Sequence, residues 1–508
     1  MKRPDLLICV SDHFRAEALH HLGNAASVTP HLDAMLEEGV SFRNAFCQNP
    51  VCVPSRCSFL SGNYPHVQGF RTMHHLQSVK DPNILKELKQ QGYHIYFGGK
   101  NDVFSKENPL DTYCDYRSDA YTELSCLAKG CALPDGYHAI LNAYTQEDAK
   151  RASKCKEASR GAAKDQTYYA LYQGVVDSDH PLDIGYQGAE DAQIKDAIRY
   201  IEQYQGAQPL CVYLACMLPH PHYAATPDDY AQIHEELIEP CVRLQPEQRS
   251  LKPSMMEGLR ANQRLYQWPD EALLSFKHTY LAMIHHVDEN FGKLMQSLKA
   301  ANRYENTAVF MFSDHGDYAG EFELAEINQN TFEDVLTNVP LLIKPPKTLL
   351  SKPGIRSALV ELLDIPATIA QLCSFTLSYP QFGQSLVPLL AEDLPHRSFV
   401  HCEGGRNPQE THCMDAGHDE SNLYWARTIE QTKMPQHTKA VMIRSHTIKY
   451  VKRLYEQDEL YDLQLDPKEI NNLIHQEAYQ KELQEMKEAL CSFMIETCDQ
   501  VPYHRDER

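Results

Sequence analysis

The chain contains five short runs of apolar residues, and polar residues follow each run. The runs are rich in β-branched and aromatic side chains, and they are Leu6–Ser11, His94–Gly98, Leu210–Met217, Ala308–Phe312 and Pro340–Ile343. Nearly continuous apolar runs of about four to eight residues are typical of strands that are buried on both faces. The pattern therefore predicts the strands of a parallel sheet that helices cover.

Amphipathic stretches separate these predicted strands. Examples are Ile84–Gln91, Ala192–Gln205 and Phe276–Lys299, where apolar residues recur at helical spacing. An alternation of strand, helix and strand is typical of α/β folds. We therefore expect a large, mostly parallel sheet flanked by helices.

The pattern changes towards the C-terminus. The apolar runs become shorter, with strand-like segments at Ala440–Ile443 and Thr447–Val451. A last helix is expected to pack into the core through a stripe formed by Leu483, Met486, Leu490 and Phe493. The sequence thus predicts a large α/β domain over residues 1–392 and a smaller α+β subdomain over residues 393–508, with a small antiparallel sheet and the terminal helix.

One internal segment, Asp111–Asp183, is less apolar than its surroundings and rich in Tyr, Lys and Asp. This composition favours an exposed insertion of helices and loops, and the alternative is that the segment forms a wall of a substrate pocket. Neither this segment nor the loop Glu403–Arg406 carries a recognisable motif. Any substrate specificity is expected to come from these two regions.

Composition and charge narrow the classes of function. The 508 residues include 48 Lys and Arg against 69 Asp and Glu, which gives a formal net charge of -21. This balance argues against nucleic-acid binding and against docking on an anionic membrane. No run approaches the roughly 18 apolar residues of a membrane span, and the N-terminal apolar run is too short for a signal peptide. We expect a soluble cytoplasmic protein that captures any small anionic substrate with a local cluster of cations.

The cysteines favour neither a zinc ribbon nor a thioredoxin-like site, and a metal site at the pairs His401-Cys402 and His412-Cys413 is the alternative that they leave open. Sixteen cysteines are scattered along the chain, and no two of them form a CxxC pair. Zinc-ribbon and thioredoxin-like interpretations therefore lose their main support. Most of these residues are expected to be reduced, buried thiols.

The residues that follow the predicted strands are all polar or charged. In chain order they are Asp12 and His13, Lys100, His220, Asp314 and His315, and Lys344. Open α/β sheets bind ligands outside the carboxyl ends of their strands. Residues about 300 positions apart are therefore expected to converge on one crevice.

The segment Cys52–Gly62 is the most informative part of the sequence. Pro54 suits the first turn of a helix, which places Cys52 at a helix N-terminus, where backbone N–H groups favour anions. Arg56 follows one turn later and adds a positive charge suited to oxyanions. These residues alone are compatible with a reactive thiolate or with an anion site.

This segment resembles the signature Cys-x-Pro-Ser-Arg-x-x-x-Leu-Ser/Thr-Gly of type I sulfatases, the formylglycine-dependent family of the alkaline-phosphatase-like superfamily. Other parts of the chain are similar to further elements of that family, namely Gly99-Lys100, Pro219–Tyr223, Ser313–Asp317 and the stretch from Glu459 to Leu473. The resemblance implies an alkaline-phosphatase-like α/β fold. It also implies that residues 1–392 form a sulfatase-like catalytic domain.

The resemblance further implies a reaction and a set of site residues. A maturation enzyme would oxidise Cys52 to formylglycine, and the hydrate of this aldehyde would attack sulfur and form a covalent sulfo-enzyme intermediate. One divalent cation, usually calcium in the family, would be held by Asp12, His13, Asp314, His315 and the modified Cys52. Arg56 would hold the nucleophile, and Lys100 and His220 would contact the sulfate oxygens, with His220 protonating the leaving oxygen.

The chain departs from the family pattern at three positions. His13 replaces the second acidic metal ligand, which makes manganese or another transition metal an alternative to calcium. Asp102 stands where the family has a histidine two residues after the lysine. Gln329 stands where the family commonly has a lysine near the sulfate, so Gln329 is a candidate substrate-binding residue, with Lys344 or Lys347 as possible sources of the missing charge.

The leading functional hypothesis is hydrolysis of an organic sulfate ester, carried by a small sulfated saccharide. A phosphonate monoester or phosphodiester hydrolase of the same superfamily is the main alternative. A non-catalytic anion-binding relative and an enzyme that uses the Cys52 thiolate directly complete the alternatives.

Overall fold

The structure is a computed structural model, and it describes residues 3–158, 170–413, 424–501 and 503. Within this part of the chain, nine strands form a central sheet in the spatial order β11-β2-β10-β9-β1-β7-β3-β4-β5. These strands are β1 (Asp5–Ser11), β2 (Val40–Phe46), β3 (His94–Gly99), β4 (Tyr116–Ser118), β5 (Tyr137–His138), β7 (Leu210–Ala215), β9 (Thr307–Ser313), β10 (Leu341–Lys344) and β11 (Gly354–Glu361). A separate pair consists of β6 (Tyr172–Val175) and β8 (Tyr223–Ala225).

Helices cover both faces of the central sheet. In chain order, the α-helices before the C-terminal part are α1 (Pro30–Ala34), α2 (Cys52–Ser61), α3 (Pro65–Gln68), α4 (Ile84–Gln90), α5 (Ala120–Lys129), α6 (Gln146–Ala158), α7 (Gln187–Gln203), α8 (Pro227–Gln232), α9 (Pro246–Arg249), α10 (Ser254–Gln263), α11 (Asp270–Ala300), α12 (Asp334–Thr337), α13 (Ile365–Leu372) and α14 (Val387–Ala391). Among the described residues, no helix is both long enough and apolar enough to cross a membrane.

The two faces of β1 show why its apolar run is nearly continuous. Leu6, Ile8 and Val10 pack into one buried core together with residues of α2 and α4, whereas Leu7 and Cys9 pack into a second core with residues of α7 and α11. Because successive side chains of a strand point to opposite faces, a strand covered on both sides has no position for a polar residue.

The five predicted strands are confirmed as β1, β3, β7, β9 and β10, and the three predicted helices as α4, α7 and α11. Parallel pairing links β1 to both β7 and β9, and β3 to β7. The α/β fold class with a mostly parallel sheet is therefore confirmed.

The expectation for Lys344 is wrong, because β10 runs antiparallel to its neighbours β9 and β2. The carboxyl end of an antiparallel strand lies beside the amino ends of its parallel neighbours, away from their carboxyl ends. The Lys344 ammonium accordingly donates hydrogen bonds to the backbone oxygens of Tyr304 and Thr307 at the start of β9. Lys347 lies on the same side, where it pairs with the exposed Glu305.

The segment Asp111–Asp183 is more than an exposed insertion. Its strands β4 and β5 extend the central sheet in parallel beyond β3. Its helix α6 carries a buried lysine, Lys156, whose ammonium lies 3.9 Å from the ring centre of Tyr186. Residues 159–169 of this segment lie outside the described residues.

The C-terminal part contains a second sheet with the strand order β12-β13-β14-β15. Its elements are β12 (Val400–Gly404), α15 (Trp425–Thr428), β13 (Ala440–Arg444), β14 (Ile448–Arg453), β15 (Glu459–Asp462) and α16 (Gln480–Thr497). All strand pairs of this sheet are antiparallel. We propose that the division between the two parts falls at residue 392, just after α14.

The terminal helix packs on the second sheet as expected. Its residues Leu483, Met486, Leu490 and Phe493 are buried against apolar side chains of β13, β14 and β15. The stripe is therefore core packing, and the prediction for it is confirmed.

Candidate active site

Helix α2 begins at Cys52, as the motif predicts. The preceding residue Val51 has an extended backbone, and all ten residues of the helix are buried. The helix ends at Gly62, which adopts a left-handed conformation with φ of 76°. Since the first N–H groups of a helix lack partners inside it, the Cys52 side chain sits where an anion is favoured.

The neighbouring strands β1 and β9 bring two pairs of predicted ligands beside Cys52. Ser11 and Ser313 are paired across these parallel strands, so the residues that follow them emerge together. The Nε2 atom of His315 lies 3.3 Å from Oδ1 of Asp12 and 3.2 Å from Sγ of Cys52. The Cys52 thiol donates to Asp12 Oδ1 over 3.6 Å. Side chains from three elements therefore meet at one point, as the strand-end argument requires.

His13 enters the same group in an unusual backbone conformation. Its φ is 69°, a value that non-glycine residues rarely adopt and that is typical of functional sites. Its Nδ1 donates to Asp317 Oδ2 over 2.5 Å, whereas its buried Nε2 has no hydrogen-bond partner among the described residues. Asp317 also accepts a hydrogen bond from the Tyr223 hydroxyl at 2.8 Å.

The supporting role of Asp317 and Tyr223 was missed in the sequence analysis. Both residues belong to segments that resemble the family's elements, Ser313–Asp317 and Pro219–Tyr223. Their hydrogen bonds fix the ring of His13 so that Nε2 faces the group at Cys52. Membership of these two segments was the signal that could have pointed to Asp317 and Tyr223.

Four side chains could hold a metal ion. They are Asp12, His13, Cys52 and His315, whose ligand atoms all lie within 4.8 Å of one another. Asp314 lies beside this group, with Oδ1 at 3.6 Å from His315 Nε2, while its Oδ2 accepts from Arg56. The structure thus brings all the predicted metal ligands into one buried pocket.

Two cations border this pocket. The Arg56 guanidinium donates to Asp314 Oδ2 at 2.8 Å and to Asp12 Oδ2 at 3.2 Å, and its Nη1 has no hydrogen-bond partner among the described residues. The Lys100 ammonium lies 2.6 Å from Asp12 Oδ2 and 3.4 Å from Cys52 Sγ. Burial alone would raise the pKa of Asp12, but Lys100 and Arg56 hold it well below its usual range.

Asp102 forms an ion pair with Lys100. The distance between Lys100 Nζ and Asp102 Oδ2 is 2.9 Å. The side chains of Lys100 and Asp102 are 14% and 18% exposed, whereas those of Asp12, His13 and His315 are fully buried. Solvent therefore reaches the pocket beside Lys100, at the residue where this chain departs from the family.

His220 is placed next to His13 by the loop after β7. The two ring centres are 4.5 Å apart, and the Nδ1 of His220 lies 2.5 Å from the backbone oxygen of Pro221. Burial, together with the nearby His13 and Lys100, lowers the pKa of His220 well below its usual value, so the ring is neutral in this state. Glu190 shapes the loop, because its Oε2 accepts from the backbone N–H groups of Met217 and Leu218.

Gln329 is buried, and its amide nitrogen has no hydrogen-bond partner among the described residues. No contact of its side chain with Cys52 or Lys100 is seen in the described part of the chain, so its substrate-binding role stays a prediction. The ring nitrogens of His66, a residue that follows the signature helix closely, bond to Glu403 and Thr497, so this histidine has a structural role.

Comparison with known proteins identifies the family of this chain. The family model described as Sulfatase matches residues 4–374. The chain is 26% identical to an ulvan-active sulfatase of Formosa agariphila over 77% of its own length and 66% of that protein, just under two thirds. It is 23% identical to an arylsulfatase of Clostridium perfringens over 96% of its own length and 94% of that protein.

A solved structure shows the same fold. The phosphonate monoester hydrolase of Agrobacterium radiobacter superposes with a TM-score of 0.71 at 19% sequence identity, covering 97% of this chain and 96% of the other. At this identity the likeness concerns the fold alone. The matched family model spans most of the chain, including every residue of the pocket, and the chain therefore belongs to the sulfatase family, whose members hydrolyse sulfuric esters.

Proposed function

We propose that this protein hydrolyses the sulfate ester of a small sulfated saccharide, and that the nucleophile is a formylglycine derived from Cys52. The observation that carries this proposal is the position of Cys52. Its side chain lies at the N-terminus of a buried helix, within 3.6 Å of Asp12, His315 and Lys100. A geminal diol at this place would supply one hydroxyl to attack sulfur and a second hydroxyl to expel the sulfate.

The pocket has the donors for one divalent cation. The buried and unpartnered Nε2 of His13 and the Oδ1 of Asp12 could each donate a lone pair to a metal ion, and His315 and Asp314 lie beside them. Such an ion would stabilise the negative charge that develops on oxygen during the reaction. The two carboxylates and the diol oxygens favour Ca²⁺ for the modified protein, and Mn²⁺ or another transition metal is the alternative because of the two imidazoles.

Lys100 and His220 are the residues that would contact the sulfate oxygens, and Arg56 would hold the nucleophile. The Lys100 ammonium and the Arg56 guanidinium both bond to one carboxylate, Asp12, and the ammonium also lies 3.4 Å from Cys52 Sγ. Fixed donors of this kind stabilise an anionic group without reorganising during the reaction. In a chain with a net charge of -21 these two side chains provide the local positive field that an anionic substrate needs.

His220 would give a proton to the leaving oxygen. Its Nδ1 is held at the Pro221 carbonyl, so Nε2 is the nitrogen left for the substrate. A neutral imidazole of this tautomer must first gain a proton at Nε2. The negative charge of a bound sulfate raises the pKa of His220 and favours that protonation.

A substrate panel tests this proposal. Protein that carries formylglycine, verified by peptide mass analysis, is assayed with sulfated mono- and disaccharides, an aryl sulfate, phenylphosphonate and a phosphodiester. We expect the highest kcat/KM for a sulfated saccharide. The Cys52→Ala variant, purified in the same way, measures any contaminating hydrolase. A higher kcat/KM for phenylphosphonate than for each sulfate ester would contradict the proposal.

The second candidate is a phosphonate monoester or phosphodiester hydrolase. The replacement of an acidic metal ligand by His13 favours it, because relatives with this activity often lack that second acid. The fold of the solved phosphonate monoester hydrolase is compatible with it. The same panel decides between the two functions, since both use one pocket and differ in the relative kcat/KM values.

A further inference from the structure

The chain as its gene encodes it carries a thiol at position 52, and this changes which metal the pocket suits. We propose that the unmodified protein binds one Zn²⁺ through Cys52 Sγ, His13 Nε2, His315 Nε2 and Asp12 Oδ1. This inference concerns the precursor form; its consequence for maturation rests on the proposed function, in which formylglycine replaces the thiol.

The distances between the ligand atoms match a tetrahedral zinc site. Zinc bonds of about 2.0 to 2.3 Å place neighbouring ligands of a tetrahedron roughly 3.3 to 3.8 Å apart. Asp12 Oδ1 lies 3.3 Å from His315 Nε2, 3.6 Å from Cys52 Sγ and 3.7 Å from His13 Nε2. The distance from Cys52 Sγ to His315 Nε2 is 3.2 Å. All four atoms lie within 4.8 Å of one another, so small side-chain rotations complete the site.

Hydrogen bonds orient both imidazoles for this purpose. The Nδ1 of His13 donates to Asp317, and the Nδ1 of His315 donates to the backbone oxygen of Gly316 at 2.9 Å. Metal-binding histidines typically donate their second nitrogen to a carboxylate or a carbonyl, which fixes the tautomer. In both residues the Nε2 atom is therefore the one left for a metal.

The buried Nε2 of His13 is the independent sign of a ligand. It is fully buried and has no hydrogen-bond partner among the described residues, although a buried polar atom without a partner is costly. A ligand atom of His13 lies within 4.8 Å of those of Asp12, Cys52 and His315. A metal ion at this position would satisfy the nitrogen.

The same set of atoms is poorly suited to calcium. It offers one carboxylate oxygen of Asp12, because Oδ2 is already held by Arg56 and Lys100. Calcium takes about six to eight oxygen ligands, whereas a set of one sulfur, two nitrogens and one oxygen is typical of zinc. Zinc binding requires the thiolate, so the Cys52 proton is released to solvent when the metal binds.

Maturation would then change the metal preference of the pocket. Formylglycine has no sulfur, and its hydrate offers oxygen where the thiol offered a soft donor. Protein that escapes maturation is expected to be folded, loaded with zinc and inactive. Zinc retention would thus mark the immature fraction of a preparation.

The test uses the full chain produced without modification, with the thiol at Cys52 verified by peptide mass analysis. After metal removal, Zn²⁺ and Co²⁺ are titrated, and stoichiometry is measured by elemental analysis. We expect one equivalent of zinc, and an intense thiolate-to-cobalt absorption when Co²⁺ binds. Asp317→Asn should weaken zinc binding by roughly 10- to 100-fold through the loss of His13 orientation.

Cys52→Ala and Cys57→Ala form a matched pair, because both thiols are buried in α2 and only Cys52 belongs to the group. Cys52→Ala should abolish the cobalt absorption and lower zinc affinity by at least about tenfold, while Cys57→Ala should retain both. Circular dichroism shows whether each variant is folded, and Cys52→Ser serves if the alanine variant is not.

Two results would overturn the inference: a folded unmodified chain that takes up no stoichiometric zinc, or zinc binding that Cys52→Ala and Cys52→Ser leave unchanged. Failure of this inference is distinct from failure of the proposed function. A modified chain that hydrolyses sulfate esters while its precursor binds no zinc contradicts the zinc site alone. An inactive modified chain with a zinc-binding precursor contradicts the proposed function alone.

Discussion

Cys52 is the residue on which the proposed chemistry depends. Its Sγ is buried by Asp12 and His315, and burial followed by the negative charge of Asp12 raises the pKa of the thiol well above its ordinary value. A thiol that resists deprotonation in this way is a poor nucleophile without a bound metal. This argues for the modified residue, and against direct thiolate catalysis.

Replacing Cys52 removes a reaction step rather than core packing. We expect Cys52→Ala to reduce kcat/KM for the best sulfate ester below about 1% of wild type, since loss of a nucleophile normally costs several orders of magnitude. The thermal midpoint of unfolding should change little. Activity above that level, in protein free of wild-type contamination, would show that Cys52 is not the nucleophile.

Asp314 is expected to support the metal through its carboxylate. Asp314→Asn keeps the size of the side chain but removes the charge that Arg56 and the cation share. Metal content and activity of the modified protein should fall together, and excess metal should restore part of the activity. Elemental analysis and rate measurements at several metal concentrations check this, and full metal content in an inactive variant would assign Asp314 another role.

Gln329 is the departure that bears most directly on the charge of the substrate. It is buried with an unpartnered amide nitrogen, and Lys344 lies at the opposite edge of the sheet and cannot replace the family's lysine. Sulfate monoesters carry one negative charge and phosphate monoesters up to two, so a pocket with one cation fewer should penalise the dianion more.

We therefore expect Gln329→Lys to improve kcat/KM for a phosphate monoester relative to a sulfate ester. The ratio of the two values is the quantity to measure, because crowding by the longer side chain would affect both substrates. Gln464→Lys, which adds the same charge at an exposed position, is the control. A ratio unchanged within about twofold, or ~0.4 kcal/mol, would place Gln329 outside the substrate pocket.

At the scale of elements, the long helix α11 is tied to two neighbouring helices by one buried histidine. His286 lies 2.8 Å from Asp191 of α7 and 3.2 Å from Asp229 of α8. Burial opposes a charge at this position, but hydrogen bonds to Asp191 and Asp229 raise the pKa of His286 to about 9. The imidazolium therefore forms ion pairs that link α11 to α7 and α8 on one face of the sheet.

The raised pKa of His286 predicts a pH-dependent contribution to stability. The contribution is complete below the unfolded value of about 6.5 and is lost as pH rises through the folded value of about 9. His286→Gln should thus lower the free energy of unfolding by roughly 3 kcal/mol at pH 6 and by much less at pH 10.

Urea unfolding at pH 6, pH 7 and pH 10 measures this effect. The neighbouring variant His285→Gln is the matched control, because burial lowers the pKa of His285 and the ring is neutral from pH 7 upwards. Its effect on stability should not change between pH 7 and pH 10. An equal loss of stability for His286→Gln at pH 6 and at pH 10 would exclude a charged His286 in the folded protein.

At the scale of the whole molecule, partly buried ion pairs join the main sheet domain to the C-terminal sheet. Asp334 of α12 accepts from Lys449 at 2.6 Å and from Arg444 at 3.0 Å, two residues of the second sheet. Burial opposes the charge, but Arg444 and Lys449 lower the pKa of Asp334 to about 2. The carboxylate is therefore charged throughout the neutral range, and the junction is intact there.

Removing this carboxylate should weaken the junction. We expect Asp334→Asn to lower the free energy of unfolding by about 2 kcal/mol at pH 7, because two buried cations lose a charged partner. Asp458→Asn is the comparison, since Asp458 pairs with Tyr450 and Lys452 inside the C-terminal sheet. A change below ~0.5 kcal/mol for Asp334→Asn, measured by urea unfolding, would mean that other contacts hold the two parts together.

Local sequence patterns were sufficient to predict much of this architecture. The buried strands β1, β3, β7 and β9 have apolar residues on both faces, and the short length of these runs together with their β-branched and aromatic residues favours strands over buried helices. Strand β2 was missed because Arg43 and Asn44 interrupt its apolar pattern near the end of the sheet. The direction of β10 was missed because alternation of side chains is the same in parallel and antiparallel strands.

The sequence by itself determined the α/β class, the helix that begins at Cys52 and the family. It also determined which residues follow the parallel strands and therefore meet in one crevice. These features depend on local periodicity and on one specific motif. Only the tertiary structure decided three contacts. Lys344 lies at the end of the sheet away from the pocket, Asp102 pairs with Lys100, and the hydrogen bond to Asp317 orients His13 Nε2 towards Cys52. Such contacts join residues far apart along the chain, and their geometry follows from strand direction and register, which no local pattern specifies.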